Sequence, residues 1–307
     1  MAKSPDKTYL FEVNSNTPPV DTIDPGATIE VVVEGGFEDV DDITTVPTPF
    51  TPASEGHPLA PISGPYAVRG AEPGDSVAIT LLDLEPTGVG KNAIVRAFGV
   101  LADEFGDPAI VACPVRDGKA WFGDRIGIPL YPNLGTLSTM PPEGYKPSYA
   151  GPYGGDLDQR DLGAGDIMHL PVLVPGALVF MADPHAVIAD GIISGTGVEC
   201  TTRVRAKIYL VKNSPIERPI IEHGDTVQIV GTGPSAEAAI EDAARGAVDF
   251  VASRTGLSRR DAYMLLGIVG DVRIGTSPRP VMAARIIIAK EVLRSAGWDG
   301  DVLAQAG

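Results

Sequence analysis

The sequence predicts a mainly β protein with an α+β C-terminal part: a β-sandwich-like region over residues 1–225 packed against a smaller α/β portion over residues 226–307. Three observations predict it. Short β-branched runs fill the chain up to Val230, and 36 glycines and 28 prolines supply the turns that many short strands need. Beyond Val230 the apolar spacing changes from strand-like to helical.

In chain order, Thr28 to Glu34 and Ser76 to Asp83 are strand runs, each following a Pro-Gly pair (Pro25-Gly26, Pro73-Gly74) that presets a tight turn. The Pro-rich stretch from Val46 to Pro65 reads as the longest loop. Leu170 to Ala182 reads as a hairpin or corner around Pro175-Gly176. From Thr201 to Val211, Val204, Ala206, Ile208 and Leu210 share one face and Arg203, Arg205 and Lys207 the other. Ser235 can cap a helix carrying Ile240, Ala243, Ala247, Val248 and Val251, with Gly256 to end it. Ser258-Arg-Arg-Asp261 opens a second helix, and Val281 to Ala289 reads as a buried strand interrupted only by Arg285.

With 24 basic and 40 acidic side chains the net charge is -16. Such a surface repels phosphate backbones and anionic lipid, so neither nucleic acid nor membrane is an expected partner. No run approaches the roughly 20 apolar residues of a membrane-spanning helix. Two cysteines, Cys113 and Cys200, and a polar first ten residues make the cytoplasm the expected compartment.

Val227 to Ala236 holds a strand followed by Gly231-Thr-Gly233-Pro-Ser-Ala236, which imitates a dinucleotide-binding turn. A second helix follows where that fold needs a strand, so it is read as a plain helix entry. The Gly-x-Ser-x-Gly elbow of serine hydrolases is absent, as is the Ser-Ser-Lys signature of one large amidase class.

The chemistry-bearing signal is Asp183-Pro-His185-Ala-Val-Ile-Ala-Asp190-Gly191, where an apolar run stops. Upstream, Gly154-Gly-Asp156-Leu-Asp158 sets two carboxylates two residues apart; downstream, Glu199 ends Gly195-Thr-Gly-Val-Glu. Asp183 and His185 share a face in an extended chain. Converging carboxylates need a cation, a proton or hydrogen bonds, so with a histidine they suit either a metal-activated water or an acid–base pair. The same residues also suit surface turns, each satisfied by nearby amides. His57, between Gly56 and Pro58, is a further candidate; His169 and His223 read as structural, and Cys200 as a buried thiol.

Taken in order, these segments resemble the acetamidase/formamidase family. The likeness runs from His57-Pro-Leu59 and Glu72-Pro-Gly-Asp75 through Asp156-Leu-Asp158, Leu170 to Ala177, Asp183-Pro-His185 and Glu199. It closes with Leu257 to Met264 and Gly270-Asp-Val-Arg-Ile274. The resemblance implies hydrolysis of a small carboxamide to carboxylate and ammonia, in a homo-oligomer. It also implies a divalent metal, zinc or calcium, held by a set drawn from Asp156, Asp158, Asp183, His185 and His57. Asp158, His185, Glu199 and Asp190 are then the expected catalytic residues, with Glu199 or an aspartate as general base and His185 as the acid for leaving ammonia. Two departures stand out: Ile192 occupies the place of a glutamate in relatives, and Asp156 that of an asparagine. They keep two alternatives open, a weakly catalytic member that binds a small amide or amine, and a hydrolase of another linear or cyclic C–N bond.

Overall fold

The computed structural model describes residues 10–54 and 60–303. Among these, two β-sheets face each other. One contains Asp21–Ile23, Ser63–Val68, Val179–Val187, Val198–Glu199, Val89–Ile94, Ala109–Arg116, Lys119–Phe122 and Ile126–Pro129 in spatial order, with Asn133–Ser138 also paired to Val179–Val187. The other runs Asp271–Ile274, Met282–Ala289, Thr226–Gly233, Ile220–His223, Ile167–Pro171, Ser76–Pro86, Thr202–Val211 and Thr28–Val33, antiparallel throughout. This second sheet takes strands from both sides of residue 225.

The alternation in Thr202–Val211 explains the core between the sheets. Val204, Ala206 and Ile208 point inward beside Val77, Ile79 and Leu81, and meet Leu134, Leu137, Val179 and Met181. Arg203 and Arg205 face solvent. Burying each such aliphatic side chain stabilises by about 1.5–3 kcal/mol relative to exposure. The Pro175-Gly176 segment is a corner, because Ile167–Pro171 and Val179–Val187 lie in different sheets; Ala177 and Leu178 turn it with φ of 57° and 50°.

Ser235 caps the helix Ala236–Thr255 by accepting from the Ala238 amide at 3.2 Å, and Gly256 ends it at φ 74°. A Cβ on Gly231 would run into the backbone of Ala239 and Ala243. The glycine therefore seats the helix against its strand, and the dinucleotide-like pattern serves packing. Ala243, Ala247 and Val251 pack with Ala262 and Leu266 of the helix Arg259–Val269 onto Val227, Ile229, Ile286 and Ile288. No helix among the described residues is long and apolar enough to cross a membrane.

Candidate active site

Four short segments build the site around the strand Val179–Val187. After the buried run Val179 to Ala182, Asp183 takes φ 57°, a conformation aspartate tolerates better than most residues. Pro184 and His185 then resume pairing, opposite Leu134 and Asn133, and His185 also faces Glu199 across Val198–Glu199. The Asp156–Asp158 segment folds over the strand Asn133–Ser138, with the Leu157 and Asp158 amides both donating to the Gly135 carbonyl at 3.0 and 3.1 Å. Gly154 and Gly155, at φ 101° and 80°, let the chain pass there: a Cβ on either would collide with the Leu137 or Tyr149 carbonyl.

The result is a buried cluster. His185 and Asp158 are fully buried, and Asp156 and Glu199 nearly so. Asp158, Asp183 and His185 each offer one ligand atom within 4.8 Å of the others. His185 Nε2 lies 3.1 Å from Glu199 Oε1 and 3.6 Å from Asp183 Oδ2, while the Gly197 amide donates to Glu199 Oε1 at 2.9 Å. Asp158 Oδ1, Asp183 Oδ2, Glu199 Oε2 and His185 Nδ1 are buried without a hydrogen-bond partner. Burying such groups unsatisfied costs several kcal/mol in total.

Gly135 leaves room among those atoms. A Cβ there would strike Asp183 Oδ2, Asp158 Oδ1 at 2.7 Å and His185 Cε1 at 2.8 Å. Two carboxylates and an imidazole border a space kept open by a missing side chain, a donor set that fits a divalent cation.

Arg279, between Pro278 and Pro280, is the site residue that the sequence reading passed over. Its Nη2 donates to Asp158 Oδ2 at 2.9 Å, its Nε lies 2.7 Å from Asp156 Oδ2, and its guanidinium sits over Phe50 and Phe98 at 5.3 and 5.0 Å. Such stacking on two rings beside a carboxylate pair is a role lysine cannot fill. An arginine held between two prolines just before a predicted strand was its only signal.

Burial raises the Asp156 carboxyl to about 7, with Arg279 opposing and Asp158 adding to the rise. Burial and then Glu199 hold Asp183 well above the usual carboxylate range. For His185 burial favours the neutral ring, but Glu199 and Asp183 outweigh it and push the imidazole up to about 10.

Of the residues singled out in the sequence, Asp156, Asp158, Asp183, His185 and Glu199 come together here. Asp190 is engaged elsewhere: its Oδ1 accepts from Arg285 Nη2 at 2.8 Å and its Oδ2 lies 3.6 Å from Arg273. His57 lies outside the described residues. His169 pairs with Glu222 and His223 with Asp166, at 2.8 and 2.9 Å. Cys200 is buried and its thiol is raised to about 11 by that burial.

A cavity of about 350 Å³ opens onto the cluster, with Thr136, Asp156, Asp183 and Arg279 in its wall. In this β-sandwich, buried acid–imidazole chemistry beside a ligand-sized cavity defines a protein with a candidate site for a small molecule. The acetamidase/formamidase family model matches residues 143–277. The chain is 30% identical to an acetamidase from Yersinia enterocolitica, with a TM-score of 0.85 over 93% of this chain and 89% of that one. An acetamidase from Bacillus halodurans is 27% identical, with a TM-score of 0.84 over 92% and 96%. A predicted acetamidase/formamidase from Thermoanaerobacter tengcongensis shares the fold at 24% identity and a TM-score of 0.86, over 94% and 95%. No curated protein matches the chain. The chain belongs to the acetamidase/formamidase family and is an amidohydrolase of small non-peptide amides.

Proposed function

We propose that the protein hydrolyses a small carboxamide to the carboxylate and ammonia, with Asp158, Asp183 and His185 holding a divalent metal. The observation that carries this reading is the space at Gly135, bordered by the unpartnered buried oxygens Asp158 Oδ1 and Asp183 Oδ2 and by the edge of the His185 ring. When bound, such an ion polarises a carbonyl and makes water nucleophilic near neutral pH.

The chain's own groups supply the rest. Glu199 has one oxygen fixed by the Gly197 amide and the other unpaired, which suits a general base that takes the proton of the attacking water. Asp156 faces the cavity with Oδ1 unpaired and is assigned as donor of the proton that the departing ammonia needs. Arg279, on the same wall, orients Asp156 and Asp158 and favours the negative charge that develops on the tetrahedral oxygen. His185 is too enclosed to reach a leaving group and is assigned to holding the metal. Asp190 acts from behind: its turn accepts Arg285, and the Gly191 amide donates to the Gly275 carbonyl at 2.9 Å, at the start of the segment that carries Arg279.

The test is elemental analysis of the purified protein together with ammonia release from acetamide and larger amides. Asp158→Ala and His185→Ala are expected to lose both bound metal and turnover while circular dichroism stays unchanged. Full turnover by chelator-stripped protein would remove the metal from the mechanism; full turnover by both variants would remove the site.

A further inference from the structure

We infer that this site accepts amides whose acyl group is a bulky apolar or aryl substituent, in preference to formamide or acetamide; this rests on the amide-hydrolase reading above. The cavity beside the cluster measures about 350 Å³, room for on the order of ten waters. Acetamide fills a small part of that and leaves most of the apolar wall wet.

The lining is graded. Exposed Glu12, Asn14, Tyr145 and Lys146 form the rim, and the polar groups Thr136, Asp156, Asp183 and Arg279 belong to the cluster. The wall between includes Val13, Phe50, Ile62, Tyr149, Phe180 and Ala182, of which Val13, Ile62, Phe180 and Ala182 are buried. Phe50 and Tyr149 pack edge to face with ring centroids 5.1 Å apart at 88°. Phe50 also lies under the Arg279 guanidinium, so the aromatic wall begins where the charged cluster stops. An amide with its carboxamide at Asp156, Asp183 and Arg279 would lay its acyl substituent against these rings. Aromatic walls prefer such edge and offset contacts with a ligand ring.

Each additional methylene buried there should raise kcat/KM about fourfold, the factor corresponding to ~0.8 kcal/mol. The experiment compares acetamide, butyramide and phenylacetamide by ammonia release, with calorimetric binding of acetamide and phenylacetamide to the same holoenzyme. Butyramide and phenylacetamide are expected to exceed acetamide at least tenfold in kcat/KM, mostly through KM. Tyr149→Ala, at a partly exposed wall position, should erode the phenylacetamide advantage severalfold more than it changes acetamide turnover, and Tyr149→Phe should preserve it.

Acetamide turnover equal to or faster than that of the larger amides would overturn the inference and leave the hydrolase reading standing. Tight phenylacetamide binding, weakened by Tyr149→Ala but with no ammonia from any amide, would uphold the cavity assignment and remove the hydrolase reading. Absence of both turnover and binding of phenylacetamide would overturn the inference outright.

Discussion

Gly135 and Asp183 show how single residues set the chemistry. Gly135 sits in a strand at a φ open to any residue, so its role is the absence of a side chain. Gly135→Ala is expected to lower kcat by about 10²-fold, the cost of displacing reacting groups by roughly 1 Å, and to reduce bound metal while the strand still forms. Elemental analysis and steady-state kinetics on the folded variant check this. Asp183 is a partly buried carboxylate at φ 57° beside other acids, and in the absence of a cation it works against the fold. In chelator-stripped protein, Asp183→Asn keeps the shape and the tolerated φ, so it should raise the melting temperature by roughly 2–4 °C while abolishing turnover. Calorimetry showing a lower melting temperature would refute the argument.

At the scale of elements, the strand Met282–Ala289 carries one fully buried arginine. Arg285 donates to Gln159 at 2.8 Å, Asp161 at 3.2 Å and Asp190 at 2.8 Å, tying that strand to the turn behind the site. Removing one partner of such a network strands the others. Arg285→Met should cost about 3–5 kcal/mol in chemical denaturation, and Asp190→Asn should recover part of the loss when combined with it. Additive effects in the double variant would show that the pair is not coupled. Much of this level was legible beforehand: the capped helices, the alternation in Thr202–Val211 and the polar interruption at Arg285 are local patterns. The nature of the 171–179 connection was not, because a corner and a hairpin share the same Pro-Gly turn chemistry and only sheet membership separates them.

Across the whole molecule, two ion pairs remote from the site contribute stability that acid removes. Burial alone would raise Asp75, but Lys212 and the Asn213 and Glu72 amides outweigh it and hold the carboxyl below 3.8. Glu222 is likewise held below 4.5: His169 and Lys290 outweigh burial. For a carboxyl depressed in the folded state, the unfolded chain binds more protons as acid is added. The stabilisation is present above those ordinary values and is lost as pH falls through the lower folded ones. The contribution of these pairs should therefore be lost between about pH 5 and pH 3, so that melting temperature falls less, or rises more, on acidification in Asp75→Asn than in the parent; an identical pH profile would exclude the Asp75 pair as a cause.

The sequence by itself determined the mainly β plan, the two helices with their caps, and the residues able to do acid, base or metal chemistry. Local periodicity and turn chemistry are written in neighbouring positions, whereas the spacing of Asp156, Asp158, Asp183, His185 and Glu199 also suited surface turns and read as a site only through the resemblance to the acetamidase/formamidase family. Only the tertiary structure decided that these five meet, that Asp190 turns away to Arg285, and that Arg279 joins them. It also decided how much space lies beyond. Those outcomes depend on contacts between segments more than a hundred residues apart, such as Arg279 with Asp158, and on the side chain that Gly135 lacks. Neither leaves a local periodic trace in the chain.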